Sequence, residues 1–391
     1  MSRPPSHLPH STCLHDPSSR RRHARRTVPI ALVALLAFAA AASAQLATAP
    51  WPMVGRDLGH TSQSDIVGPQ TGLVLWRAQT SGFVKSSPVV GADGRVYVGV
   101  KKGFCAIEPT TGNPIWCNKL AGVVRRNAAA IAADGTLYIG DRANRLWAIN
   151  PDGTTKWSFA VGNDGDVNTS PAIAPDGTIY MAGTFNGVVH ALSPDGDLLW
   201  RLPLGSAVSY SSPAVAADGT IYIGTVRGQL VAISPAGVLQ WQALIRSSIR
   251  FGSPSIGADG TIYVGSKAGI SAVSPAGDIL WQNETPGYVA TAPAIATDGT
   301  IYVAAHEGLF ALAPDGSNEW SIQTGERFRS SPAIGADGTI YTTAGNRVVA
   351  LNPDGTELWQ FGLRRVVLAA PAIGPGGVLY VAADGFYSFA D

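Results

Sequence analysis

Short apolar segments alternate with polar turns through most of the chain, in a pattern that repeats about every forty residues. One copy reads SPAIAPDGTIYMAGTFNGVVHALSPDGDLLW, from Ser170 to Trp200. Alternating β-branched and aromatic residues within its four apolar segments are typical of half-buried strands. The pattern is marked by a recurring tyrosine, spaced 39 to 42 residues apart, and a recurring tryptophan: Tyr97, Tyr138, Tyr180, Tyr222, Tyr263, Tyr302, Tyr341 and Tyr380; Trp76, Trp116, Trp157, Trp200, Trp241, Trp281, Trp320 and Trp359.

A period near forty residues with four strands per unit predicts the blades of a β-propeller. We name the strands of each unit A to D. Asp-Gly joins strands A and B, and Pro-Asp-Gly or Pro-Ala-Gly joins strands C and D, because these residues tolerate the backbone of tight hairpins. The class is therefore all-β, with antiparallel strands.

The eighth unit is incomplete, and its missing strand lies at the other end of the chain. The unit stops at Asp391, where the second turn should begin, whereas Pro69 to Trp76 matches Pro109 to Trp116 position by position. The N-terminal strand is thus predicted to complete blade eight and close the ring, which removes exposed sheet edges. Residues 69–391 then form a single eight-bladed propeller.

The first 68 residues fall outside the repeat. Residues 1–44 contain an arginine run, an apolar stretch and Ala42-Ser43-Ala44, which together indicate a secretory signal peptide rather than a membrane span. Residues 45–68 are predicted to form an arm on the propeller, near the point where strand D begins. The protein is expected to be exported, periplasmic or extracellular, and monomeric.

Charge and cysteine content narrow the function further. Without residues 1–44 the chain has 22 basic and 26 acidic residues, which does not favour nucleic-acid binding. Cys105 and Cys117 become cross-strand neighbours if Ala106 faces Trp116, and a disulfide then competes with two free thiols or a redox pair.

Residues Ala106 to Trp116, AIEPTTGNPIW, resemble the A-x-D-x-x-T-G-x-x-x-W motif of the pyrroloquinoline-quinone-type (PQQ) propeller repeat. The resemblance covers residues 50–391 and implies one of three functions: a PQQ- and calcium-dependent dehydrogenase, an outer-membrane assembly factor, or a binding propeller. The dehydrogenases have adjacent cysteines and long loops, which this chain lacks. No cofactor is therefore expected, with PQQ and calcium as the alternative.

One face of the predicted ring has uniform turns, and the other has loops that vary from blade to blade and are rich in arginine and lysine. The residue three before the proline of strand A should lie at the channel rim on the variable face. A basic arc and an aromatic arc there could bind an anionic ligand or an acidic protein, or the cations could only confer solubility. The candidate rim residues are Lys85, Arg126, Asn168, Tyr210, Phe251 and Arg329.

A second, weaker candidate is a metal site at Asp164, Asp166 and Asn168, where oxygen ligands alternate around a glycine. A polar turn explains the same residues. Taken together, the sequence predicts an exported, non-catalytic binding or scaffolding module of the cell envelope that uses the basic variable face. A PQQ-dependent oxidoreductase and an outer-membrane protein assembly factor are the alternatives.

Overall fold

The computed structural model describes residues 45–78, 84, 86–101, 103–285 and 287–391. The strands in these residues form eight four-stranded antiparallel sheets arranged in a ring. The predicted eight-bladed propeller is confirmed. The segment assigned as a signal peptide, residues 1–44, lies outside the described residues. Among those described, no helix is long and apolar enough to cross a membrane.

The strands follow one another around the ring in chain order. The first is β1 (Leu73–Ala78). Blades one to three contain β2 (Val89–Val90), β3 (Val96–Val100), β4 (Gly103–Ile107), β5 (Pro114–Asn118); β6 (Ala130–Ile131), β7 (Leu137–Asp141), β8 (Arg145–Ile149), β9 (Thr155–Ala160); and β10 (Ala172–Ile173), β11 (Ile179–Gly183), β12 (Val188–Leu192), β13 (Leu198–Pro203). Short 3-10 turns cover Gly162–Asp164 and Pro375–Gly377.

Blades four to seven repeat the same arrangement. They contain β14 (Ala214–Val215), β15 (Ile221–Gly224), β16 (Gln229–Ile233), β17 (Leu239–Leu244); β18 (Ser255–Ile256), β19 (Ile262–Ser266), β20 (Gly269–Val273), β21 (Ile279–Asn283); β22 (Ala294–Ile295), β23 (Ile301–Ala305), β24 (Gly308–Leu312), β25 (Asn318–Ile322); and β26 (Ala333–Ile334), β27 (Ile340–Ala344), β28 (Arg347–Leu351), β29 (Glu357–Gly362).

The two ends of the chain meet in blade eight. Its sheet has the order β1, β32 (Phe386–Ala390), β31 (Leu379–Ala382), β30 (Ala372–Ile373). Leu73 lies opposite Ala390, and Ala78 lies opposite Phe386. The predicted closure by the N-terminal strand is therefore confirmed.

The recurring tryptophan joins each blade to the next. In all eight sheets the pairing of strands C and D shifts by one residue just before this tryptophan, a β-bulge. The indole N–H then donates to the carbonyl of the proline that precedes strand D in the following blade, at 2.7 to 3.0 Å. The tryptophans therefore pack between blades.

The arm takes a different path from the predicted one. It crosses the ends of strand A, on the face of the A–B turns, rather than remaining near strand D. The last residue of strand A donates its N–H to an arm carbonyl in six blades, at 2.7 to 2.9 Å: Val90 to Trp51, Ile131 to Pro52, Val215 to Leu58, Ile256 to Gly59, Ile295 to Thr61 and Ile334 to Ser62. Strand A is the innermost strand, so these donors need an acceptor near the ring axis, and the arm supplies it.

His60 fixes the arm at its centre and makes its attachment sensitive to pH. The imidazole is 1% exposed, and its Nδ1 lies 2.9 Å from the carbonyl oxygen of Pro254. Burial lowers the pKa of His60 below 6.5, although the Pro254 carbonyl and Asp57 act in the opposite direction. The folded protein therefore binds the proton less readily than the unfolded chain, and stability should fall as the pH drops below 6.5.

We expect His60→Asn to reduce this loss of stability in acid. Asparagine can donate to the Pro254 carbonyl and tolerates the positive φ of 57° at this position, but it does not titrate. Thermal midpoints measured from neutral pH downwards should fall less steeply for the variant than for the wild type. Equal slopes would show that other groups cause the acid sensitivity.

Candidate functional site

A small central cavity of about 70 Å³ lies on the ring axis. The loops from strand D to the next strand A, together with the B–C loops, form one face of the ring, the variable-loop face; the A–B and C–D turns form the other, the turn face. Val54 of the arm lines the cavity, and the arm crosses on the turn face. The cavity therefore opens on the variable-loop face and is closed at the other end.

Four of the six candidate rim residues meet at the mouth of this cavity: Arg126, Tyr210, Phe251 and Arg329. Asn168 is instead buried beside Asp166, with its Nδ2 3.3 Å from Asp166 Oδ2. Lys85 lies outside the described residues.

Arg126 does not face the aromatic residues across an open mouth, as the sequence suggested, but lies against them. Its Cζ is 4.6 Å from the ring centroid of Phe251 and 5.8 Å from that of Tyr210. The two rings are stacked, with centroids 4.8 Å apart and planes 26° apart. Such cation–π contacts are worth about 0.5–2 kcal/mol each, so the mouth holds its own cation in place.

The three residues of this stack share an uncommon backbone. Arg126, Tyr210 and Phe251 have φ values of 63°, 61° and 71°, in the left-handed region that side chains other than those of glycine, asparagine and aspartate seldom occupy. Such strain is tolerated where the surroundings hold it, and it concentrates at binding sites. The sequence does not predict this backbone conformation, because the repeat gives no sign of which loops adopt a positive φ.

Among the described residues, the mouth contains arginines and no neutralising carboxylate. Burial lowers the pKa of Arg126, and Arg125 and Arg329 lower it further, while Tyr210 acts in the opposite direction. No carboxylate is among the described residues that line the cavity. The Nε atoms of Arg125, Arg126 and Arg329 are buried and have no hydrogen-bond acceptor within the described part of the chain.

A ring of serines surrounds the channel below the arginines. Each lies one residue before the proline of strand A, and its Oγ accepts a backbone N–H from the preceding blade at 2.8 to 3.0 Å: Ser170 from Ala128, Ser212 from Ser170, Ser253 from Ser212, Ser331 from Ala292 and Ser87 from Ala370. Alanine replaces serine in the other three blades. The serine-proline pair recurs in the sequence, but the repeat gives no sign of its role between blades.

Replacing one of these serines should therefore weaken the contact between two blades. We expect Ser212→Ala to cost about 1 kcal/mol, because it leaves the buried N–H of Ser170 without its acceptor. Ala292→Ser is the reciprocal change, since it offers a hydroxyl to the N–H of Ser253 and should raise the thermal midpoint. Thermal unfolding of both variants checks the pair; a stable Ser212→Ala protein would show that the ring is energetically neutral.

The two carboxylates of the weak metal candidate contact basic side chains. Asp166 Oδ2 lies 2.9 Å from Arg142 Nε, and Asp164 Oδ2 lies 3.2 Å from His190 Nε2 and 3.3 Å from Arg201 Nη2. Burial lowers the pKa of His190, with Asp164 acting in the opposite direction. No group of three histidine, cysteine or acidic residues is placed to hold a metal ion in the described chain.

Cys105 and Cys117 lie directly opposite each other on β4 and β5, and their sulfur atoms are bonded at 2.07 Å. Cys105 is buried and Cys117 is exposed. The pair lies on the two outer strands of blade one and does not line the channel.

Comparison with known proteins decides the family. The PQQ_2 family model, described as outer membrane protein assembly factor BamB, matches residues 63–269, 185–311, 236–353 and 310–391 in overlapping segments. The chain belongs to this family. The resemblance to the PQQ-type repeat is thereby confirmed.

Individual relatives of this PQQ_2 propeller are distant. Lambda-carrageenase from Pseudoalteromonas carrageenovora is 24% identical over 163 residues, which are 40% of this chain and only 16% of that protein. A quinohemoprotein alcohol dehydrogenase from Pseudomonas putida superposes with a TM-score of 0.70 at 15% identity, over 86% of this chain and 76% of its own. BamB from Moraxella catarrhalis superposes with a TM-score of 0.56 at 20% identity, over 74% and 91% of the two chains. The two structural likenesses show the fold alone.

The quinone and calcium implied by the dehydrogenase branch fit this mouth poorly. Calcium takes carboxylate and carbonyl oxygens, whereas the described lining residues of this PQQ_2 propeller offer arginines and hydroxyl groups. A planar quinone would also have to displace Arg126 from the faces of Tyr210 and Phe251.

Proposed function

We propose that the protein is an exported, non-catalytic binding or scaffolding module of the cell envelope that works through its variable-loop face. The observation that supports this most strongly is the cluster of arginines at the channel mouth, which has no carboxylate among its described lining residues. The printed description of the family, an outer membrane protein assembly factor, agrees with a partner-binding role in the envelope.

The charged loops around the mouth extend this surface. Arg327, Arg364 and Arg365 are exposed on the loops that enter blades seven and eight. Arg246 forms an ion pair with Glu284, but both side chains are more than half exposed, so the pair is worth little in water. The Asp-Gly turns place carboxylates on the turn face. Attraction of an acidic partner should therefore be directed to the variable-loop face.

The matching experiment measures binding of a ten-residue polyglutamate peptide to the mature chain. Reversing Arg327, Arg364 and Arg365 to glutamate should slow association by roughly tenfold at low salt, because steering depends on the local field. Reversing Arg95 and Lys156 on the turn face is the control and should leave the rate nearly unchanged. Equal rates for both variants would reject the variable-loop face as the binding surface.

An outer-membrane protein assembly factor is the second candidate, favoured by the family match over residues 63–391. It predicts that the chain restores outer-membrane protein levels in a strain that lacks its own assembly factor. Dye-linked oxidation of alcohols or sugars after addition of PQQ and calcium would instead support an oxidoreductase and overturn the non-catalytic proposal.

A further inference from the structure

The five serines of the channel ring still have hydrogen atoms to donate. The oxygen of Ser212, for example, accepts the backbone N–H of Ser170 at 2.9 Å, which uses a lone pair and leaves the O–H free. No acceptor for these five hydroxyl hydrogens lies within hydrogen-bond distance among the described residues. Since all five serines line the cavity, their donors are available to a molecule inside it.

The mouth above this ring adds positively charged donors. Arg126 and Arg329 both line the cavity, and no carboxylate is among the described residues that line it with them. A guanidinium carries five N–H donors and no acceptor. An oxyanion would satisfy both kinds of donor, and hydrogen bonds between charged groups are the strong ones.

The shape of the cavity limits what can enter. Val54 of the arm lines one end, and the arm is tied to six blades by backbone hydrogen bonds, so the channel is blind. In the described part of the chain, access is from the variable-loop face, past Arg126. A compact anionic group suits this path better than a broad planar ring, since the faces of Tyr210 and Phe251 are already covered by Arg126.

We propose that the channel is a blind receptacle for a compact carboxylate, which is held by Arg126 and Arg329 at the mouth and by the serine ring beneath them. This inference rests on the proposed binding function and assigns a chemical class to the ligand. The same carboxylate chemistry can come from a free small acid or from an acidic side chain that a partner inserts into the channel.

Calorimetric titration of the mature chain with malonate at low ionic strength tests the receptacle, with uncharged malonamide as the matched probe. Malonate should bind with one-to-one stoichiometry and malonamide should not. Arg126→Gln and Arg329→Gln should each weaken malonate binding by about tenfold or more, the loss typical of a charged hydrogen bond. Ser212→Ala combined with Ser253→Ala should also weaken malonate binding. If the arginines alone bound malonate, this double variant would keep its affinity.

Lys267→Gln is the control for general loss of positive charge, because Lys267 is exposed on a B–C loop of the same face but does not line the cavity. It should change malonate affinity by less than about twofold. Thermal unfolding of all variants checks that they fold. If Arg126→Gln does not fold, Arg329→Gln still tests the receptacle. Equal binding of malonate and malonamide, or unchanged affinity in both arginine variants, would overturn the receptacle.

Competition experiments with the polyglutamate peptide distinguish a free acid from a partner's side chain. They also distinguish the receptacle from the binding face. If malonate competes with the polyglutamate peptide, a partner's side chain enters the channel; if both bind independently, the ligand is a free acid, and either result supports the receptacle. If malonate fails to bind while the peptide still depends on Arg327, Arg364 and Arg365, the receptacle is rejected and the binding face stands. If malonate binds as expected but peptide binding does not depend on Arg327, Arg364 and Arg365, the binding face is rejected and the receptacle stands.

Discussion

Trp76→Ala is expected to destabilise the protein by about 3–5 kcal/mol, the usual cost of removing a large buried aromatic side chain. Trp76 is 9% exposed and belongs to β1, the strand that closes the ring. Its ring centroid lies 5.5 Å from that of Phe386 and 6.1 Å from that of Tyr380, and its Nε1 donates to the Pro109 carbonyl at 2.7 Å. It therefore holds β1 to its own sheet and to blade one together.

Trp76 differs from the equivalent tryptophans of the other blades because its removal should open the ring. Gly112 of blade one, at φ 72°, packs so closely on Trp76 that a Cβ there would lie 2.5 Å from the indole. Trp281 makes the same kind of contact with blade six, but its strand is continuous in sequence with the rest of its blade. Trp76→Ala should thus expose β1 and β32 to hydrogen exchange, whereas Trp281→Ala should destabilise without opening the ring.

Thermal unfolding and hydrogen exchange measure the two effects separately. Leu75→Ala is the conservative control, since Leu75 is 50% exposed in the β-bulge beside Trp76 and should cost less than about 0.5 kcal/mol. If β1 and β32 stay equally protected in the Trp76 and Trp281 variants, Trp76 does not hold the closing sheet.

Removal of the disulfide is the second change that should reduce stability strongly. Cys105 and Cys117 are separated by 12 residues, and a bridge closing a loop of this size is worth about 3 kcal/mol in the chain-entropy account. Cys105→Ser with Cys117→Ser should therefore lower the thermal midpoint by several degrees. The variant should still fold, because the other seven blades form the same hairpin without a disulfide.

Blade five offers a matched rescue. Its Ser271 and Gln282 occupy the positions of Cys105 and Cys117, and Gln282 Nε2 donates to Ser271 Oγ at 3.2 Å. Cys105→Ser with Cys117→Gln should recover about 1 kcal/mol of the loss. Thermal unfolding of the two double variants checks this; a wild-type midpoint in both would show that the disulfide contributes nothing to stability.

Reduction of the native disulfide should also be slow. A thiolate can reach the exposed sulfur of Cys117, but this attack expels the thiolate of Cys105, which is 3% exposed and disfavoured by burial. Thiol titration should find free cysteines after reduction in denaturant and few after reduction of the folded protein. Rapid reduction of the folded protein would contradict this account.

The repeat determined the number of blades, the order of strands and the pairing of the chain ends, because each follows from local alternation and from a period that counts blades. The pairing of Ala106 with Trp116 could likewise be read from the turn between them. The tertiary structure alone decided where the D–A loops send their side chains: Arg126 onto Phe251 and Asn168 away from the rim. It also decided that the arm seals the channel. These contacts join residues that are far apart in sequence and meet around a common axis. A local sequence pattern does not determine which residues meet there.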